Sequence, residues 1–595
     1  MSPVLPRPLA FSLLRTRRDA PTWRPGRDPR AEAHPGPSGS PRVAGRSVVV
    51  VGGGIAGLSA ATELAERGVK VTLLEREQQL GGRVGSWPVE VGDRTTAMSR
   101  GFHAFFRQYY QLRALLRRAD PTLSALRAVD DYPLVLKDGP RDSFARIPRT
   151  PPLNLVGFVA SSPSFPVKAL TEVDLDAAMG LLDVSFPQTY TDLDGVSAAD
   201  VLDRLRFPHS ARHLALEVFA RSFFADPRVF SGGELVAMFH TYFVGSAEGL
   251  LFDVANDDFD AALWQPLGRY LSGLGTEIRT GCSAHQVTDT GEGVVVETDA
   301  GPISADAVVI ATDRAPLQRL VAASPGLGDE EWRSRVAGQR QAPRFAVWRR
   351  WLAARPTPGT PDFLGTSGYG PLDNISMVHQ FERSAADWAE QTGGSVVELH
   401  AYAVDDDAAR DAAGAEELRR ELAAQQDLLH PELADAECVA EQWLLLDDCP
   451  LVDTSPWALR PGVETPNPRV VLAGDGIRCD YPVALMERAA TTGVLAANQL
   501  LQGWGGAGTT VWTAPTRPRF RGVGLARRAL RRLPARTAQH GIEQDGVEQH
   551  GVEQHGVEQH GVEQHGVEQH GVEQHGVEQH GGVHPTADVS TVSKS

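Results

Sequence analysis

The chain has four cysteines in 595 residues, Cys282, Cys438, Cys449 and Cys479, and no two share C-x-x-C or C-x-H spacing. Such scatter argues against iron–sulfur and zinc sites, so no metal is expected, and reduced thiols in a cytoplasmic protein are the natural reading. A G-x-S-x-G elbow is missing, which removes the usual framework for serine hydrolysis. No apolar run is fit to span a bilayer: residues 47–65 are interrupted by glycines, and Leu153–Leu170 is broken by Pro163 and Pro166. The apolar patch in residues 1–20 is too short for a signal peptide. Nine arginines in residues 1–46 lack interleaved stacking aromatics, so nucleic acid is not an expected partner.

The net charge of −17 is unevenly spread, for residues 541–580 hold 9 of those negative charges as Glu543, Asp545 and the glutamates of a GVEQH motif repeated from Gly546 to His580. One apolar residue in five builds no core, so the tail 541–595 is expected to be disordered, as is the Pro/Arg/Gly-rich leader 1–45. Between them the length calls for two interlocked domains.

What is present begins at Ser47. Val48–Val51 read as a strand buried on both faces. Gly52, Gly54 and Gly57 follow in G-x-G-x-x-G spacing: a tight turn, close backbone approach to a pyrophosphate, and close helix–strand packing. A helix over 55–67, with Ala56 in its first turn, would offer its N-terminal N–H groups to the diphosphate. A second strand, 69–74, ends at Glu75 and Arg76, where a carboxylate can accept ribose hydroxyls. This βαβ unit predicts a dinucleotide fold, and NAD and FAD stay open at this point. Leu80-Gly81-Gly82-Arg83 then adds a second glycine pair and a positive charge. It resembles the GGR element of the amine oxidase and carotenoid desaturase superfamily of flavoproteins, which implies FAD.

Two later segments fit the same picture. Arg469–Ile477 reads as strand, Gly474, Asp475, with a helix following near Pro482; Asp475 can accept from ribityl hydroxyls, and the helix dipole would favour negative charge on the flavin, with Val483 and Met486 beside it. In the superfamily a backbone valine, here Val287, meets the adenine. The run Ser99–Tyr110, SRGFHAFFRQYY, resembles a segment of plant and cyanobacterial phytoene and ζ-carotene desaturases near the isoalloxazine, which implies flavin-proximal roles for Gly101, Phe102 and His103, and His103 is either a structural histidine or a candidate catalytic residue.

These boundaries define a Rossmann-type α/β FAD domain in three pieces (46–140, 263–320, 465–505) and a mixed α+β substrate domain in two (141–262, 321–464). Residues 506–540 contain a basic amphipathic stretch suited to an anionic membrane surface, its Leu525, Ala529 and Leu533 opposite arginines. Leu153–Leu170 could also lie on a membrane, which suggests a cytoplasmic protein associated peripherally with the cytoplasmic membrane. Aromatic helices at 219–224 and 238–243 suggest an apolar pocket, hence a lipophilic substrate and an electron acceptor that the sequence does not identify.

Across roughly residues 46–502 the chain resembles bacterial β-carotene desaturase/methyltransferases of the isorenieratene synthase type. The resemblance implies conversion of β-ionone rings to trimethylphenyl rings, with a 1,2-methyl shift and loss of a proton, to give isorenieratene by way of β-isorenieratene. Asp226 and Glu248, set among aromatics, are the carboxylates proposed to accept that proton. The rival readings are an acyclic carotene desaturase, an oxidase of another apolar substrate, and a non-catalytic flavin-binding scaffold.

Overall fold

The computed structural model describes residues 28–516, apart from 146, 152, 167, 169–170, 172, 216–223 and 405–410. The GVEQH tail, the basic stretch around Leu525–Leu533 and most of the 219–224 segment therefore lie outside the described residues.

The valine run forms the centre of a five-stranded parallel sheet, ordered Glu277–Arg279, Lys70–Leu74, Ser47–Val51, Ala307–Ile310, Val470–Leu472. Helices cover both faces of such a sheet, which is why Val48, Val49 and Val50 are each almost fully buried. Helix Ile55–Glu66 leaves the first strand at Gly54 and packs against helix Leu485–Gly503 from the other end of the chain. Leu58, Ala61 and Leu64 on one and Ala490, Ala497 and Leu501 on the other belong to a single core. Gly57 makes the first contact possible: a Cβ there would stand 1.9 Å from the Gly52 carbonyl oxygen.

A seven-stranded sheet forms the second layer, in the order Cys438–Leu446, Arg344–Leu352, Ser395–Val404, Asn374–Met377, Phe363–Ser367, Leu134–Leu136, Arg141–Asp142. Its pairings are antiparallel except between Phe363–Ser367 and Leu134–Leu136. Short helices occupy the chain between 153 and 245, and their Phe158, Leu202 and Val236 join the core that holds Leu58 and Leu501. Helix Gly232–Phe239 widens into a π-helical turn over His240–Gly245.

The expected disordered leader is corrected in part. Glu32–His34 pairs antiparallel with Val511–Thr513, and Glu32 accepts from the Thr516 backbone N–H at 2.9 Å. Backbone pairing between the two ends supplies the partners that the composition of residues 28–45 could not reveal.

Candidate active site

A cavity of about 1640 Å³ runs between the two sheets, well beyond the size of an ordinary small-ligand pocket. One end is built from the first strand's turn. Glu75 is buried with both oxygens engaged: Oε2 accepts the Gly53 N–H at 2.7 Å and Oε1 the Glu77 N–H at 2.9 Å. Burial pushes its carboxyl above the ordinary range, against those two donors. Gly54 pairs with Gly81, so the two glycine turns meet face to face. Gly81 has φ +105°, and a Cβ there would strike the Trp264 indole. That indole donates to the Val84 carbonyl at 2.6 Å and fixes the second turn.

Beyond it, Arg83 joins three chain segments. Its guanidinium donates to Asp475 and, at 3.1 Å, to Asp313. Burial opposes its charge, but Asp475 and Asp313 outweigh that and raise it well above the ordinary arginine value. Helix Leu485–Gly503 is held from behind. Arg488 donates to the fully buried Glu234 at 2.5 Å, while Glu487 accepts the Gln111 and Leu112 N–H groups at 2.8 and 3.0 Å. Those anchors leave Leu485, Met486 and Ala489 facing the cavity.

The far end is apolar and aromatic. Alternating residues of three neighbouring strands make its floor: Phe345 and Val347, His400 and Tyr402, Leu444 and Leu446. Phe102, Tyr132, Phe252, Phe106, Tyr109 and Tyr242 wall it, the last two sharing a hydroxyl–hydroxyl hydrogen bond of 2.6 Å. Phe144, also in the wall, stacks on Phe158 of helix Leu153–Ser161 with centroids 5.0 Å apart.

The expected cofactor residues divide as follows. Gly52, Gly54, Ala56, Glu75, Arg76, Gly82, Arg83, Phe102, Gly474, Asp475 and Met486 line the cavity. Gly57 is packing, not lining. Gly101, at φ +95°, lies behind Phe102 with its open face against the His400 ring. Val483 is buried behind the helix start, its carbonyl taken by Arg488. Val287 needs correction: its N–H is spent on Ser324 Oγ at 2.8 Å, and Cys282–His285, earlier on the same segment, reach the cavity instead.

Two of the three candidate catalytic residues are displaced. Asp226 is bound by the exposed Arg228 guanidinium at 2.5 Å, outside the lining. Glu248 lies outside it too, half-buried near Tyr110 and Asp28; burial, reinforced by Asp28, pushes it up to about 7. Aromatic neighbours of both in sequence, Phe224 and Phe252 among them, do line the cavity, but the two carboxylates do not. His103 does line the cavity. Burial lowers it to about 4, despite its Nδ1 hydrogen bond of 2.9 Å to the Gly101 carbonyl, so it is neutral near pH ~7. Cys479 is buried outside the lining and pushed up to about 12 by burial, far from thiolate chemistry. Sequence reasoning missed His400, Tyr402, Asp313 and Asp448; the i, i+2 alternation of His400 and Tyr402 within a strand was the available signal.

The residues present fit FAD. The paired glycine turns give backbone a close approach to a diphosphate. Thr312 Oγ1 and Asp448 Oδ1, both in lining residues, are buried with no hydrogen-bond partner among the described residues, as expected where a polar ligand belongs.

The comparisons agree with that geometry. Residues 55–501 match the model of the flavin containing amine oxidoreductases. The chain belongs to this family and is an FAD-dependent oxidoreductase. Within it, the chain is 54% identical to a carotenoid phi-ring synthase of Streptomyces griseus, over 83% of its own length and 95% of the relative's. It is 27% identical to a carotenoid phi-ring synthase of Chlorobaculum tepidum, over 76% and 88%. Among solved structures, a putrescine oxidase shares the fold at 16% identity with TM-score 0.56, covering 77% of this chain and 98% of the other.

Proposed function

We propose that this enzyme aromatises the β-rings of a carotenoid, removing hydrogens and moving one geminal methyl to the neighbouring carbon. Similarity along 95% of a carotenoid phi-ring synthase carries the reading. The apolar floor and aromatic wall support it, because a hydrocarbon ring offers no polar handle and must be placed by shape. FAD, when bound, supplies the hydride acceptor. The chain's own residues hold the ring against that acceptor, exclude water through the Phe345, Val347, Leu444 and Leu446 floor, and set aromatic faces beside developing positive charge.

The substrate comes from a bilayer in this reading. Helix Leu153–Ser161 leaves Leu153 46% and Val156 61% exposed, beside the Phe144–Phe158 stack at the cavity wall. We take this helix as the peripheral contact with the cytoplasmic membrane; among the described residues no helix is long and apolar enough to cross one. Expression in hosts accumulating either β-carotene or lycopene tests the proposal. Aromatic end groups should form only in the first; desaturation of lycopene with β-carotene left intact would refute it.

A further inference from the structure

His103 is held at one ring nitrogen and open at the other. Nδ1 lies 2.9 Å from the Gly101 carbonyl oxygen, and a carbonyl only accepts, so the ring proton sits on Nδ1. Nε2 therefore carries the lone pair, and it has no hydrogen-bond partner among the described residues. The buried Phe259 ring stands at 89° to the imidazole, with centroids 5.5 Å apart, and offers it nothing polar. The imidazole keeps some exposed surface, and it lines the cavity. Its place is the junction of the two ends: Arg83 and Arg100 act on it from the cofactor residues, while Phe102, its neighbour in the chain, walls the aromatic end.

The other bases lining this part of the cavity are occupied. Asp313 and Asp475 are paired with Arg83, and Asp448 with Arg100. Asp373 accepts the Tyr402 N–H at 2.6 Å. His400 Nε2 is engaged by Glu398 Oε1 at 2.9 Å and by the Phe102 N–H at 3.3 Å. Burial pushes the Cys449 thiol up to about 12, so it stays protonated. A neutral nitrogen with its lone pair uncommitted is left at one position, His103.

We propose that His103 Nε2 is the proton acceptor in ring aromatisation, with the Gly101 carbonyl fixing the tautomer; this rests on the function proposed above. A hydride passes from ring C2 to FAD and leaves a cation at that carbon. The methyl moves from C1 with its bonding pair, and the charge passes to C1, where the neighbouring C5=C6 bond shares it. The remaining C2–H bond then breaks, its electron pair closing C1=C2 and its proton going to Nε2. A carbon cation with an adjacent C–H bond is a far stronger acid than an imidazolium, so a weakly basic imidazole suffices. Burial is the chief reason that His103 sits at about 4; Arg100 and Arg83 add to it, and the Gly101 carbonyl and Glu398 oppose it. The ring is thus unprotonated when the cation forms, and the same surroundings favour release of the proton afterwards.

The test uses the full-length enzyme loaded with FAD and given β-carotene, as wild type, His103→Ala and His103→Gln. Both variants should retain FAD and form aromatic pigment ~100-fold more slowly, with a smaller loss in anaerobic flavin bleaching, because the base acts after the hydride has left. Imidazole added to His103→Ala should restore pigment formation, whereas pyrrole should not: it has the same ring shape and an N–H for the Gly101 carbonyl, but no basic lone pair. Wild-type rates in either variant overturn the proposal, as does restoration by pyrrole. Loss of FAD from both variants also overturns it and assigns the ring to cofactor binding. So does an equal fall in bleaching and pigment formation that imidazole leaves unchanged. Failure of the wild type to aromatise β-carotene overturns instead the function on which it rests.

Discussion

Replacing Arg349 by methionine keeps much of the side chain's volume and removes the charge that Glu382 and Glu398 share. Those carboxylates are 5% and 1% exposed, so the variant strands two acids in the interior. The backbone carbonyl of Ala97 and the Ser99 hydroxyl lose their donors at 2.7 and 3.0 Å as well. Breaking a buried pair from one side typically costs ~3–5 kcal/mol. Arg349 and His400 together hold Glu398 from its ordinary 4.5 down to about 2 against burial, and the sign with pH follows. A carboxylate held low stabilises the fold above 4.5 and loses that contribution as pH falls toward about 2. In the variant, His400 alone still opposes burial at Glu398, and protonation of the two acids relieves the penalty. Thermal unfolding of the holoenzyme by near-ultraviolet circular dichroism should therefore show a large loss of stability near pH ~7 that shrinks on acidification below pH ~4.5. Equal stability near neutrality, or a gap that widens in acid, would refute the electrostatic account of this cluster.

Three further outcomes are expected. Gly57→Ala should abolish FAD retention on purification, since its Cβ would sit 1.9 Å from the Gly52 carbonyl and force helix and strand apart. Asp226→Asn and Glu248→Gln should both convert carotenoid at wild-type rates, because neither side chain reaches the cavity; a ~100-fold loss in either would restore it as a catalytic residue. Burial pushes Glu487 up to about 8, so its folded form favours the proton and stability should decline as pH rises from 4.5 through about 8. Glu487→Gln should flatten that decline in urea unfolding, at the cost of one acceptor for the Gln111 and Leu112 N–H groups.

The nucleotide half of the molecule was legible because its determinants are local. Four β-branched residues, three glycines at fixed spacing and an acid closing the second strand each act on the backbone within a few residues, and the observed strand, helix and strand follow them closely. Glu75 meets Gly53 because they flank one βαβ turn. Even the partnership of Gly81 with Gly54 follows from a glycine pair at the right distance.

What the chain did not disclose alone are meetings between distant segments. Arg83 finds Asp313 and Asp475, Glu487 finds Gln111, and residues 32–34 pair with 511–513, all through closure of a discontinuous domain. The substrate end shows this most clearly. Asp226 and Glu248 have aromatic neighbours in sequence, yet one turns to a surface arginine and the other lies behind the wall. His400 looked like one polar residue in an apolar strand. Pairing of Arg344–Leu352 with Ser395–Val404 aligned Arg349 with Glu398 and Val347 with His400, placing the buried charges on one face and the imidazole in the cavity. Side-chain alternation along a strand is local, but which strand lies beside it, and in what register, is decided only when the sheet forms.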